Sequence, residues 1–121
     1  MSTKHIPGPW TAEKLKDRKV REWVIRAPGN PPCISYELAS LSGHDPIHDE
    51  ANARLIAAAP DLLKVLRMAR AKIAAELQVM VMCHTGPDGL IDDAEVVLLI
   101  EAEQDLLNQI DAAIAKAEGA A

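Results

Sequence analysis

Six side chains in this 121-residue chain have the chemistry to hold a small anionic ligand: Arg21, Trp23, Arg26, Arg54, Arg67 and Arg70. Arginine presents a planar fork of donors that matches phosphate oxygens, and an aromatic face can stack on a base. Trp10 and Tyr36 extend the aromatic set. A plainer reading competes with this one. The tryptophans would be the core of a small sheet and the arginines a solvated face.

Other stretches invite chemistry and give it less support. In HDPIHDE, His44 and His48 stand four apart, a spacing that lets two histidines on a helix share a metal. Pro46 lies between them and removes the regular helix, so a capped linker with surface histidines is the simpler assignment. DGLIDDAE (Asp88 to Glu95) gathers acids without the alternating ligand spacing of a calcium loop, and helix capping accounts for it. Cys83 and His84 are neighbours in sequence. A nucleophilic pair needs two facing side chains and a third group to orient the base, which adjacent residues rarely provide. There is no GxGxxG, P-loop, GxSxG or HExxH motif. These features point away from an enzyme, and no cofactor or metal is expected.

Composition narrows the partners. The net charge of −5 disfavours general nucleic-acid binding, which needs basic surface to displace counterions. The total conceals an asymmetry: Met1 to Pro46 carries seven Lys/Arg and five Asp/Glu (+2), and Ile47 to Ala121 carries six and thirteen (−7). Cys33 and Cys83 form no CxxC. No signal-peptide pattern and no bilayer-length apolar run is present, so free thiols in a reducing cytosol, with no membrane contact, are expected.

The elements that must position these residues follow from pattern. A chain of this length makes one domain at most. Residues 5–46 read as a three-stranded antiparallel meander. Its strands lie near Trp10 to Leu15, in REWVIRAP (Arg21 to Pro28) and in CISYELAS (Cys33 to Ser40). Alternation puts Trp23 and Ile25 on one face and Val24 and Arg26 on the other, with Ile34, Tyr36 and Leu38 aligned on the third strand. PGNPP (Pro28 to Pro32) marks a turn. Residues 47–121 read as a helical hairpin. Asp45 or Asp49 can cap the first helix, expected from Asp49 to about Met82. Pro60 falls inside ANARLIAAAPDLL and requires either a kink or a stop and restart. Beyond it Leu62, Leu66, Ala69, Ile73, Leu77 and Met80 step by fours and threes, a heptad-like seam. CHTGPDG breaks the helix, and Asp92 or Asp93 opens a second one to about Glu118. Its apolar positions are Val96, Leu99, Ile100, Leu106, Leu107, Ile110, Ala113 and Ile114. Val97 and Leu98 widen that surface beyond what one partner helix needs, which predicts a homo-oligomer, dimer or higher. Arg54, Lys64, Arg67, Arg70 and Lys72 face an acidic second helix, so cross-pairs should set an antiparallel orientation.

Two stretches together, HIPGPW (His5 to Trp10) and DEANARLIAAAPDLLKVL (Asp49 to Leu66), resemble a family of small phage and prophage proteins. Those proteins open on an H-x-PGPW-like motif and continue through short strands into an ANARLIAAAPDLL helix. The likeness covers roughly His5 to Arg70 and implies a phage accessory protein. In architecture the chain is also similar to phage anti-Thoeris sponge proteins, with an amino-terminal sheet followed by two long antiparallel helices. That similarity implies a non-catalytic oligomer that sequesters a cyclic nucleotide signal of the cyclic ADP-ribose type.

The fold expected is therefore α+β: a small antiparallel three-stranded sheet, then a long antiparallel helical hairpin whose first helix is kinked at Pro60. The function expected is a non-enzymatic phage accessory protein that counters host defence by sequestering a cyclic nucleotide. The ligand residues would be Arg21, Trp23, Arg26, Arg54, Arg67 and Arg70. The alternative is an interaction module that docks its acidic helical face onto a host or phage protein.

Overall fold

A computed structural model describes residues 5–15, 23–29, 35–41 and 46–119. Arg21, Cys33, Ile34, His44, Asp45 and the PGNPP turn beyond Gly29 lie outside them. The element order is β1 (Thr11–Lys14), β2 (Trp23–Pro28), β3 (Ser35–Leu41), α1 (Pro46–His84) and α2 (Ala94–Ala117). This is the expected α+β arrangement. The chain forms two compact units, Met1–Leu63 and Lys64–Ala121.

In the first unit the sheet order is β1-β2-β3, antiparallel throughout. The central strand is the most apolar, and it carries the buried core. Val24 and Ile25 are both 0 % exposed. Adjacent strand residues point to opposite faces, so both faces of β2 are covered at this point. Ala27 of β2 and Ala53 of α1 complete the buried set.

The strict alternation expected on β3 does not hold. Ile25 lies opposite Ala39, but Arg26 lies opposite Glu37, so the register slips by one residue. Leu38 is the extra residue of a β-bulge, which ends a clean period of two. Tyr36 is consequently exposed while Leu38 is half-buried.

HIPGPW forms its own small tie. The Trp10 indole N–H donates to the Ile6 carbonyl at 3.0 Å, and His5 meets Trp10 edge to face. Gly8 rests on Pro60: a Cβ at Gly8 would stand 3.0 Å from the Pro60 Cβ. A Cβ there would crowd the ring, so glycine suits that approach.

Helix α1 begins earlier than Asp49 and is unbroken through Pro60. Pro46 suits a first turn, where its missing N–H would have had no helical partner. Pro60 costs the helix one backbone hydrogen bond without ending it. The stop-and-restart option is thus not the one used, and the ring of Pro60 is where Gly8 seats.

The second unit pairs α1 from Lys64 onward with α2. Leu77, Leu107 and Ile110 are buried, and Leu66, Ile73, Met80, Val96, Ile100 and Ile114 are half-buried around them. Three expected seam positions face outward instead: Leu99 and Leu106 are exposed, and so is Ala113. Leu62, which the heptad pattern also assigned to the seam, lies in the first unit and is exposed.

The connection between the helices is built by turn chemistry. Gly89 has φ +79, the left-handed region that glycine enters freely. The Gly86 N–H donates to the Leu90 carbonyl at 2.8 Å, and the Leu90 N–H donates to Asp88 Oδ1 at 3.0 Å. Asp93 caps α2, its carboxylate accepting from the backbone N–H groups of Glu95 and Val96.

Candidate functional site

The arginines are all engaged, among the described residues of the ligand set. Arg26 projects from β2, where Thr11 is its neighbour on β1. Its Nε donates to Glu13 Oε2 at 3.1 Å. Glu13 lies opposite Val24, so this is a diagonal cross-strand pair on one face of the sheet. Arg54 reaches one turn back along α1 to Glu50 at 2.5 Å. Both pairs are partly solvent-exposed, and such pairs contribute on the order of 0.2–1 kcal/mol each.

Arg67 and Arg70 behave differently, because each crosses to the other helix. Arg67 pairs with Glu118 and Arg70 with Asp111. Advancing three residues on α1 moves the partner seven residues back on α2, which is antiparallel pairing. Arg70 engages both carboxylate oxygens of Asp111, its second contact at 3.4 Å. The hydrogen bond and the charge of Asp111 raise the Arg70 pKa further above its ordinary value, against a small opposing effect of desolvation. In return the hydrogen bond from Arg70 lowers the Asp111 pKa; desolvation opposes this, and the charge of Arg70 adds to it. The expected cross-pairing of the hairpin is therefore present at Arg67 and Arg70. Arg54 and Lys72 pair instead within α1, Lys72 with Glu76 at 3.8 Å.

The aromatic members are spread out. Trp23 is half-buried on β2, between Lys14 of β1 and Leu41 of β3. Trp10 is committed to Ile6 and His5. Tyr36 is exposed opposite Ala27. Arg21 falls outside the described residues. Trp23, Arg26 and Arg54 belong to the first unit, and Arg67 and Arg70 to the second.

The remaining candidates resolve into local structure. The Nδ1–H of His84 donates to the Met80 carbonyl at 2.8 Å, turning the ring back along its own helix. Cys83 is a free, exposed thiol. The acids at Asp88 and Asp93 serve the turn and the cap. Among the described residues, no three His, Cys, Asp or Glu side chains gather as they would around a metal ion.

Both hairpin helices keep apolar side chains exposed, and Leu98, already counted as surplus apolar surface on the second helix, is among them. On α2, Leu98, Leu99 and Leu106 are 65 %, 55 % and 43 % exposed beside the exposed acids Glu95, Glu101 and Asp105. On α1, Val65, Met68, Val79 and Met82 are each about 60 % exposed or more. The signal for the second group is present in the sequence as a second three-and-four spacing. The heptad seam from Leu66 to Met80 masks it, because both patterns run along the same helix.

A family model described as Salmonella phage P22 protein Y8K6 matches residues 1–121 of the chain. No curated protein and no solved structure matches it. Among the described residues, no helix is long and apolar enough to cross a membrane.

Proposed function

We propose, from the premise that the chain belongs to the family of Salmonella phage P22 protein Y8K6, that it is a non-enzymatic phage accessory protein that works by docking the outward face of α2 onto a protein of the host or the phage. The observation that carries this reading is the exposed trio Leu98, Leu99 and Leu106, set among Glu95, Glu101 and Asp105. Exposed apolar side chains interspersed with charged ones mark a surface that a protein partner can cover. The acids select a basic partner surface and speed its capture. Between its ends α2 holds five acids against the single cation Lys116, and among the described residues Asp111 alone of those acids is held in a cross-helix ion pair.

Sequestration of a cyclic nucleotide is the second reading. In its favour, the carboxylates that Arg26 and Arg54 meet, Glu13 and Glu50, are about half exposed, and a phosphate can displace such groups at small cost. Against it, Arg67 and Arg70 already serve the hairpin.

Affinity capture from phage-infected cells tests both. The intact protein should retain one partner at stoichiometric yield, and Leu99→Arg with Leu106→Arg should release it. Equal capture by that variant would overturn the docking reading. Native mass spectrometry of the same preparation reads the alternative. A bound small molecule that disappears in Arg26→Ala with Arg54→Ala would establish sequestration instead.

A further inference from the structure

Helix α1 carries two apolar faces, and the hairpin uses one of them. At about 100° per residue, Leu66, Ile73, Leu77 and Met80 centre on one direction. Val65, Met68, Lys72, Ala75, Val79 and Met82 centre on another, roughly 150° away. Every residue of the second set is exposed, and Met82 reaches 70 %. Six positions in a row at spacings of three, four, three, four and three form a coiled-coil seam that no helix covers among the described residues.

We infer that this face binds a second copy of the same chain, with the two α1 helices antiparallel about a two-fold axis between Ile73 and Ala74. The pattern is self-complementary. Its spacing reads identically from either end. A two-fold axis at that point therefore sets Val65 against Met82 of the other copy, and Met68 against Val79. At the centre Lys72 meets Ala75, so a flexible stem lies over a methyl group and the helices can approach closely. Large residues thus meet large ones at the two ends.

Charge agrees with the same pairing. Glu76 flanks the stripe one position past Ala75, so each Lys72 lies beside Glu76 of the other copy. Within one chain these two form an exposed i,i+4 pair at 3.8 Å. Two copies turn the single pair into a four-membered alternating cluster across the axis. A parallel arrangement would stack Lys72 on Lys72, which costs energy. Such an isologous contact closes at two subunits.

This contact is independent of the docking face on α2, and its test leaves that face untouched. Sedimentation equilibrium of the full chain should give a dimer at micromolar concentration. Met68→Glu with Val79→Glu, both on exposed positions, should raise the dissociation constant at least tenfold while the helical circular dichroism is retained. The orientation is read by cross-linking in a Cys33→Ser, Cys83→Ser background. Val65→Cys with Met82→Cys should give a disulfide-linked dimer under mild oxidation, and Val65→Cys alone should not. Those two positions lie about 25 Å apart along one helix, far beyond disulfide reach, so the bond forms only between copies. A monomeric wild-type chain, a dimer indifferent to both glutamates, or efficient cross-linking by Val65→Cys alone would overturn the inference. Failure of the dimeric wild-type chain to capture any partner, or equal capture by the Leu99→Arg, Leu106→Arg variant, would instead count against the α2 reading alone.

Discussion

The first unit buries its core completely, and the second does not. In Met1–Leu63, Val24, Ile25 and Ala53 have no exposed surface. In Lys64–Ala121 the best-buried side chains, Leu77, Leu107 and Ile110, still show 7–8 % of theirs. The sheet has backbone hydrogen bonds on both sides of β2 to fix its position. Two helices have only a seam of side chains between them, and two ion pairs. A pair of helices can cover one face of each, so every further apolar residue faces water. The contrast teaches where the molecule stores its stability and where it offers surface to others.

The largest effect that would sharpen this contrast is core truncation. Ile25→Ala should destabilise the chain by about 3 kcal/mol, and Ile110→Ala by about 2 kcal/mol, measured by urea unfolding. The order follows from burial, because the cavity at Ile25 would be closed on all sides. Equal costs would break the comparison. Gly8→Ala comes next, at about 1–2 kcal/mol. Its new methyl would meet the Pro60 ring, which is stiff and cannot turn aside. A neutral outcome would mean that HIPGPW does not hold the helix at that point.

In the second unit Asp93→Ala should cost about 1 kcal/mol through loss of the α2 cap, with Asp93→Asn restoring most of it. The smallest effect concerns the ion pair of Arg70 and Asp111. Asp111 is lowered in the folded state, so its contribution is fully present above the ordinary carboxylate range and is lost as pH falls through its folded value. The melting temperature of Asp111→Asn should therefore lie slightly below that of the wild type from pH 8 to pH 5. The gap should close below about pH 4. It should also shrink in high salt, because the pair is exposed. A gap that widens in acid would contradict the assignment.

Much of the architecture was legible from the residues. Alternation in Trp23 to Pro28 and the three-and-four spacing from Leu66 to Met80 each specify an element over a few turns. Gly86 and Gly89, with Asp92 or Asp93, specify where one helix stops and the next starts. Arg67 and Arg70 facing an acidic helix specify antiparallel pairing. The candidate site was legible only as chemistry. Nothing local distinguishes an arginine awaiting a phosphate from one already bound to Glu118, because that acid lies fifty-one residues away.

By itself the sequence determined the order and type of the elements, a cap at Asp92 or Asp93, the turn at Gly89 and the charge signs that align the hairpin. The cap and the turn depend on interactions within a few residues of one another, and the charge signs are a property of each helix by itself. The tertiary structure decided the bulge at Leu38, the unbroken helix through Pro60 with Gly8 against it, the carboxylate that each arginine meets, and which of two apolar faces on α1 the hairpin covers. Those outcomes depend on distant segments arriving at the same place. A short-range pattern lists which partners a side chain could accept, and only packing selects one.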